Sequence, residues 1–120
     1  MRIYVGTRNS RQEPRVFSIS DGSRHFEVSH TSLDPRLDIA NHSPTGLEWG
    51  YMGSGPSQLA IALIADATGD DEKAGNTRLC QQFKRDVVSH FPMKEWMINK
   101  DTICKYVESF LSEVPVWERK

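Results

Sequence analysis

Residues 41–67 read NHSPTGLEWGYMGSGPSQLAIALIADA, and this stretch decides the fold. Its first half is a proline turn followed by alternation. Leu47, Trp49 and Tyr51 fall on one side of an extended chain, Glu48 and Gly50 on the other. That spacing predicts a sheet strand over 47–51 with an aromatic core face. Gly50 leaves room for something to approach the opposite face. The second half predicts a helix, with Ser54 or Gly55 as cap, Pro56 as the first helical residue and Gly69 as the stop. Its Leu59–Ala65 core is apolar nearly all round, so the helix should lie between the sheet and other helices. Between strand and helix the chain must bend sharply at Gly53-Ser54-Gly55, and if the corner needs a positive φ at Gly55 a β-branched residue there would severely impair folding.

Working outward, Ile3 and Val5 alternate in RIYVG (2–6), a short strand pattern. Residues 7–14 are polar and arginine-rich and read as a loop. RVFSISDGSRHFEV (15–28) reads as a hairpin, because Asp21-Gly22 suits a type I′ turn. With Ser20 facing Ser23, Phe17 would lie opposite Phe26 and lock the register. Residues 29–46 read as an irregular connection in which Asp34 could cap a single turn beginning at Pro35.

Beyond Gly69 a second helix is expected from about Asn76 to His90, with Cys80, Phe83, Val87 and Phe91 at helical spacing and Pro92 ending it. Residues 97–100 form a brief extended piece. A third helix follows Asn99, with Ile103, Tyr106, Val107, Phe110 and Leu111 on one stripe. Ile98 and Ile103 have the spacing of a hydrophobic staple around an Asn99 cap. The tail, 115–120, is expected to fray unless Trp117 folds back. Strands come first and helices after. The expected class is therefore α+β: one domain over 1–120, its small antiparallel sheet (the hairpin plus the 47–51 strand) packed against about three helices.

At 120 residues, with 38% hydrophobic and 26% charged residues, the composition suits one soluble globular domain. Net charge is −1, so no basic field argues for nucleic acid. The charge is uneven. Residues 1–72 hold six Arg and ten Asp or Glu, residues 73–120 nine Lys or Arg and six Asp or Glu. That polarity could orient a partner or merely solvate the surface. Two cysteines, Cys80 and Cys104, make no disulfide framework and point to buried free thiols in a reducing compartment. The N-terminus lacks the apolar stretch of a signal peptide, and Leu59–Ala65 is far short of a bilayer span. A cytosolic protein without membrane attachment is expected.

Three groups of residues bear on chemistry. Free backbone N–H groups at Gly53-Ser54-Gly55 and the positive end of the helix dipole make a potential anion site, to which Ser54 could add a hydroxyl and Gln58 an amide. Pro56 removes one donor and no lysine follows, so this is no P-loop. The competing reading is a sharp turn in which glycines avoid clashes. His42, Ser43 and Glu48 could assemble acid–base chemistry, His42 as the titrating group and Glu48 as its orienting carboxylate. The competing reading is a turn whose side chains bond the backbone. Arg2, Arg8, Arg11, Arg15, Arg24 and Arg36 precede any lysine in the chain. As bidentate donors they could meet an acidic partner, or serve only as scattered solubilising charge. Asp34, Asp38 and the Asp70-Asp71-Glu72 run match no calcium loop, and the histidines and cysteines show no zinc spacing. No metal and no cofactor is expected.

Asn41-His42-Ser43-Pro44, Gly46, Glu48-Trp49-Gly50-Tyr51, Gly53-Ser54-Gly55-Pro56 and Gln58-Leu59-Ala60 together resemble a family of small proteins carried by plasmids, phages and other mobile elements. That family is described only as a domain of unknown function. The likeness continues more loosely through Asp66 to about Phe91. Met52 departs from the small residue expected there, which would narrow the space above the corner. The resemblance implies a genomic setting and brings no activity, cofactor or catalytic residue.

The expectation from these readings is a non-enzymatic protein acting through a protein partner, in one form as an inhibitor of a host defence system. The alternative is a small-ligand or nucleotide-binding protein, or an enzyme, built on the corner. It would use Ser54, Gly55 and Gln58 as donors, His42 and Glu48 as the acid–base pair, and Trp49 or Tyr51 as a stacking wall. DNA binding would need a basic stripe, for which only the C-terminal half gives a hint.

Overall fold

Four segments pair into one antiparallel sheet: β1 (Arg2–Arg8), β2 (Pro14–Asp21), β3 (Val28–Ser32) and β4 (Trp96–Asn99), in the order β3-β2-β1-β4. Four helices follow the first three strands in the chain: α1 (Ser54–Thr68), α2 (Asp71–Ala74), α3 (Thr77–Asp86) and, after β4, α4 (Lys100–Glu113). This is an α+β fold. It comes from a computed structural model, which describes residues 2–21 and 28–113.

α1 is the axis of the packing. Every residue from Gly55 to Ala65 is buried, as expected of a run with no polar stripe, and α2, α3 and α4 all contact it. Gly69 ends it in the left-handed conformation, φ 64°, with its N–H donating to the Ala65 carbonyl at 2.9 Å. Asn76 caps α3 through Leu79 N–H at 3.1 Å, and Asn99 caps α4 through Thr102 N–H at 2.7 Å. The second helix breaks earlier than expected. α3 stops at Asp86, and Val88–His90 is a separate 3₁₀ turn. Asp70 caps the short α2 by accepting from the Glu72 and Lys73 N–H groups, and Asp71 and Glu72 occupy its first turn.

Three expectations are corrected. The segment 47–51 is not a strand. The flank of β1 is taken by β4, with Tyr4 opposite Ile98, and the Gly50 N–H donates to the Val88 carbonyl at 3.1 Å. The alternation misleads because only Trp49 is fully buried, while Tyr51 turns to the surface. α1 also begins earlier than the caps suggested. Gly53 is its N-cap with extended backbone, and Pro56 is the third helical residue, still within the turn that needs no donor. Gly55 is helical, without positive φ.

The hairpin register differs as well. Phe17 opposes Ser32, not Phe26, and Asp21 still pairs with Val28. Pairing along β2 outweighs the local turn preference. The expected turn residue Gly22, with Ser23 and Phe26, lies outside the described residues, as does the 115–120 tail. The 7–14 loop proves to be a second hairpin, with strand residues to Arg8 and from Pro14. Its turn is organised by Asn9, whose side-chain oxygen accepts from Arg11 and Glu13 N–H at 2.9 Å each.

The inward sheet face carries Tyr4, Val16, Ser18 and Trp96, all buried. Tyr4 is fully buried, and its hydroxyl donates to Asp66 Oδ2 at 2.7 Å, fixing α1 to the sheet. Cys80 and Cys104 are both free. The Cys80 thiol is buried against the Ala74 carbonyl, which pushes its pKa up to about 12 and leaves it inert as a nucleophile.

Candidate functional site

The residues expected to form a site come together around the start of α1, but mostly as struts. Gln58 is fully buried. Its Oε1 accepts from the His42 and Ser43 N–H groups at 2.8 and 3.3 Å, and its Nε2 donates to the Pro35 and Ala40 carbonyls at 2.6 and 2.9 Å. An amide offers two donors and one two-lone-pair acceptor, so nothing is left for a ligand. Gln58 instead pins the irregular 35–43 connection onto α1.

Glu48 is equally committed. It takes two hydrogen bonds from Arg8, at 2.7 and 3.1 Å, and a third from the Trp49 N–H at 3.3 Å. It does not orient His42. His42 is exposed, and its ring has no partner among the described residues. Ser43 is buried and donates to the Gly46 carbonyl at 2.7 Å, a side chain closing its own turn. Ser54 is exposed. Gly55 packs directly under Glu48: a Cβ there would lie 2.6 Å from Glu48 Cβ. The backbone of the corner is therefore covered by Glu48 at Gly55 and by the Tyr51 ring at Gly53.

Arg8 is the residue whose importance the sequence concealed. It was one of six arginines without distinction. In the fold it gathers the corner: besides Glu48 it donates to the Met93 carbonyl at 2.7 Å and lies 4.5 Å over the Trp49 ring. The Glu48 hydrogen bonds hold the guanidinium above its ordinary pKa. The Trp49 indole N–H donates to the same Met93 carbonyl at 3.1 Å. Trp49 meets Trp96 edge-on at 5.6 Å, and Trp96 stacks on Phe91 at 4.2 Å. Trp49 is thus a core residue, not a stacking wall.

Around this rigid frame the surface is apolar. Tyr51, Met52 and Met93 are 46%, 58% and 53% exposed. Met93 covers the Cα of Gly50, and the Tyr51 ring covers Gly53. Met52 therefore faces solvent and does not narrow the corner. Elsewhere a cleft of about 390 Å³ opens between Arg2 and the start of α4, lined also by Asn99, Asp101 and Cys104. Of the residues expected at the corner, His42, Glu48, Trp49, Tyr51, Ser54, Gly55 and Gln58, none lines it. Among the described residues no three His, Cys, Asp or Glu side chains gather as a metal site would require, and no helix is long and apolar enough to cross a membrane.

Fold and site together define a small α+β protein whose polar side chains brace a loop-to-helix corner and whose exposed apolar residues cluster beside it. The chain belongs to a family of unknown function, DUF6166, whose model matches residues 4–109. No curated protein and no solved structure matches the chain.

Proposed function

We propose that this protein acts by docking a protein partner on the Tyr51–Met52–Met93 surface and not by catalysis. The observation that supports this is the exposure of three large apolar side chains over a braced backbone. Tyrosine, methionine and arginine are enriched where proteins meet, and a surface already ordered loses little entropy on binding. Methionine adds the adaptability to fit a pocket of irregular shape. The polar groups that a ligand-binding or enzymatic reading would use, Gln58 and Glu48, are engaged within the fold.

The setting in a mobile element, with a component of a host defence system as the partner, is part of the proposal and rests on the sequence resemblance alone. The test is affinity capture from host lysate with the native chain and with Met52→Lys. A protein retained reproducibly by the native chain and reduced at least about tenfold by Met52→Lys is the expected result. Equal retention by both, or no reproducible partner, would end the proposal.

A further inference from the structure

The cleft between Arg2 and the start of α4 has a volume of about 390 Å³, within the ~300–1,000 Å³ typical of small-molecule sites. A second cleft of about 270 Å³ adjoins it and shares Lys100 and Cys104. The fold explains what lines it. Arg2 lies at the start of β1 and points to the helix side, as Tyr4 does two residues on. There its Nη2 donates to Ser18 Oγ at 3.1 Å and its Nε stands 3.0 Å from Asp66 Oδ2. α4 follows β4 directly, and Lys100 and Cys104 are one turn apart on it.

We infer that this cleft binds a small organic carboxylate, its charged end held between Arg2 and Lys100 and its apolar part resting against Cys104. Donors are available. A guanidinium carries five N–H groups, and with Nε against Asp66 and one Nη2 proton on Ser18, both Nη1 protons and one at Nη2 have no partner among the described residues. Such a fork matches a carboxylate. Lys100 is exposed and likewise has no partner among the described residues. The half-buried Cys104 thiol donates to the Ala67 carbonyl at 3.3 Å, so it offers a ligand a sulfur surface and no proton.

Charge selects the class of ligand. Asp66 takes Arg2 and the Tyr4 hydroxyl, the latter at 2.7 Å, and Asp101 faces Lys105 at 3.0 Å. Arg2 is thus balanced by Asp66 and Asp101 by Lys105, which leaves the charge of Lys100 uncompensated. One positive charge matches one carboxylate. A phosphate monoester, at about −1.5 to −2, would crowd the Asp66 carboxylate. In the adjoining cleft Lys73 and Glu108 oppose each other, so no second anionic group is required there. The inference does not depend on the Tyr51 surface.

The test is titration of the nitrogen-labelled chain with benzoate, benzamide and inorganic phosphate, followed by amide NMR shifts. Benzoate carries one carboxylate on an apolar ring, and benzamide has the same shape without the charge. Expected are saturable benzoate shifts centred on Asn99, Lys100, Asp101 and Cys104, with weaker binding of benzamide and of phosphate. Lys100→Met, at an exposed position without a partner, is expected to raise the benzoate Kd about fivefold. Lys94→Met, exposed and outside both clefts, should leave it unchanged. Benzamide or phosphate binding as tightly as benzoate, an unaltered Kd in Lys100→Met, an equal loss in Lys94→Met, or no saturable shift in the cleft would overturn the inference.

Discussion

Arg8 and Glu48, forty residues apart, are joined by a two-pronged pair of hydrogen bonds at 2.7 and 3.1 Å, and the same guanidinium holds the Met93 carbonyl at 2.7 Å. One side chain thereby ties the end of β1 to the approach to α1 and to the approach to β4. Lysine at position 8 keeps the charge but cannot reproduce that fork. Arg8→Lys is expected to lower stability by ~2 kcal/mol, and Arg8→Ala with Glu48→Ala to show ~1–2 kcal/mol of coupling in a double-mutant cycle. Denaturant midpoints measure both. Strictly additive single effects would show that the pair is an idle surface contact.

Gly53 and Gly55 should respond oppositely to substitution. Gly55→Ala drives a methyl group into Glu48 Cβ and its backbone, and is expected to cost ~1–3 kcal/mol. Gly53 has extended φ, and the nearest atoms to its added Cβ belong to the exposed Tyr51 ring, which can swing aside. Gly53→Ser should be neutral or slightly stabilising, since serine is a good N-cap. Thermal melts of the two variants decide the matter, and similar losses in both would contradict the packing assigned to Gly55.

Gln58→Glu is nearly isosteric but cannot donate to the Pro35 and Ala40 carbonyls. It should lower the Tm by ~10 °C or more, because buried acceptors lose their partners beside a buried charge. A shift under ~3 °C would mean that the 35–43 connection is held by other contacts.

Alkaline pH should destabilise the fold through Tyr4. Burial, then the hydrogen bond to Asp66, raises its pKa above the ordinary 10.0. The folded state therefore keeps a proton that the unfolded state releases above pH 10. Below that pH both states are protonated and Tyr4 makes no contribution to the slope. Above it, stability falls by up to ~1.4 kcal/mol per pH unit. Cys80 adds a similar term from its ordinary value of 9.0 up to about 12. Urea melts between pH 8 and 11 should show a shallower decline above pH 10 in Tyr4→Phe, and an unchanged slope would remove Tyr4 from the account.

The helices were legible because their signals are local. The aliphatic run 59–65, the Gly69 stop and the Asn76 and Asn99 caps each act within a turn or two. The sheet was legible only in part. That β1 would prefer residues 96–99 to 47–51 is a contest between segments far apart in sequence, and Leu47-Glu48-Trp49-Gly50-Tyr51 has the better alternation. The site was misread for a related reason. Residue type marked Gln58 and Glu48 as able to donate and accept, but their actual partners, the Pro35 and Ala40 carbonyls and Arg8, are set by chain folding. Nothing in the sequence around Arg8 separated it from five other arginines.

The position of β4 has a consequence for synthesis. Tyr4 meets Ile98 across the sheet, so β1 waits for the last of the four strands before its second side is closed. Until the ribosome has released that segment, β1 presents a bare row of amide and carbonyl groups able to recruit a strand from another chain. Fragments ending before residue 96 should therefore precipitate, even though they contain the whole of α1, α2 and α3.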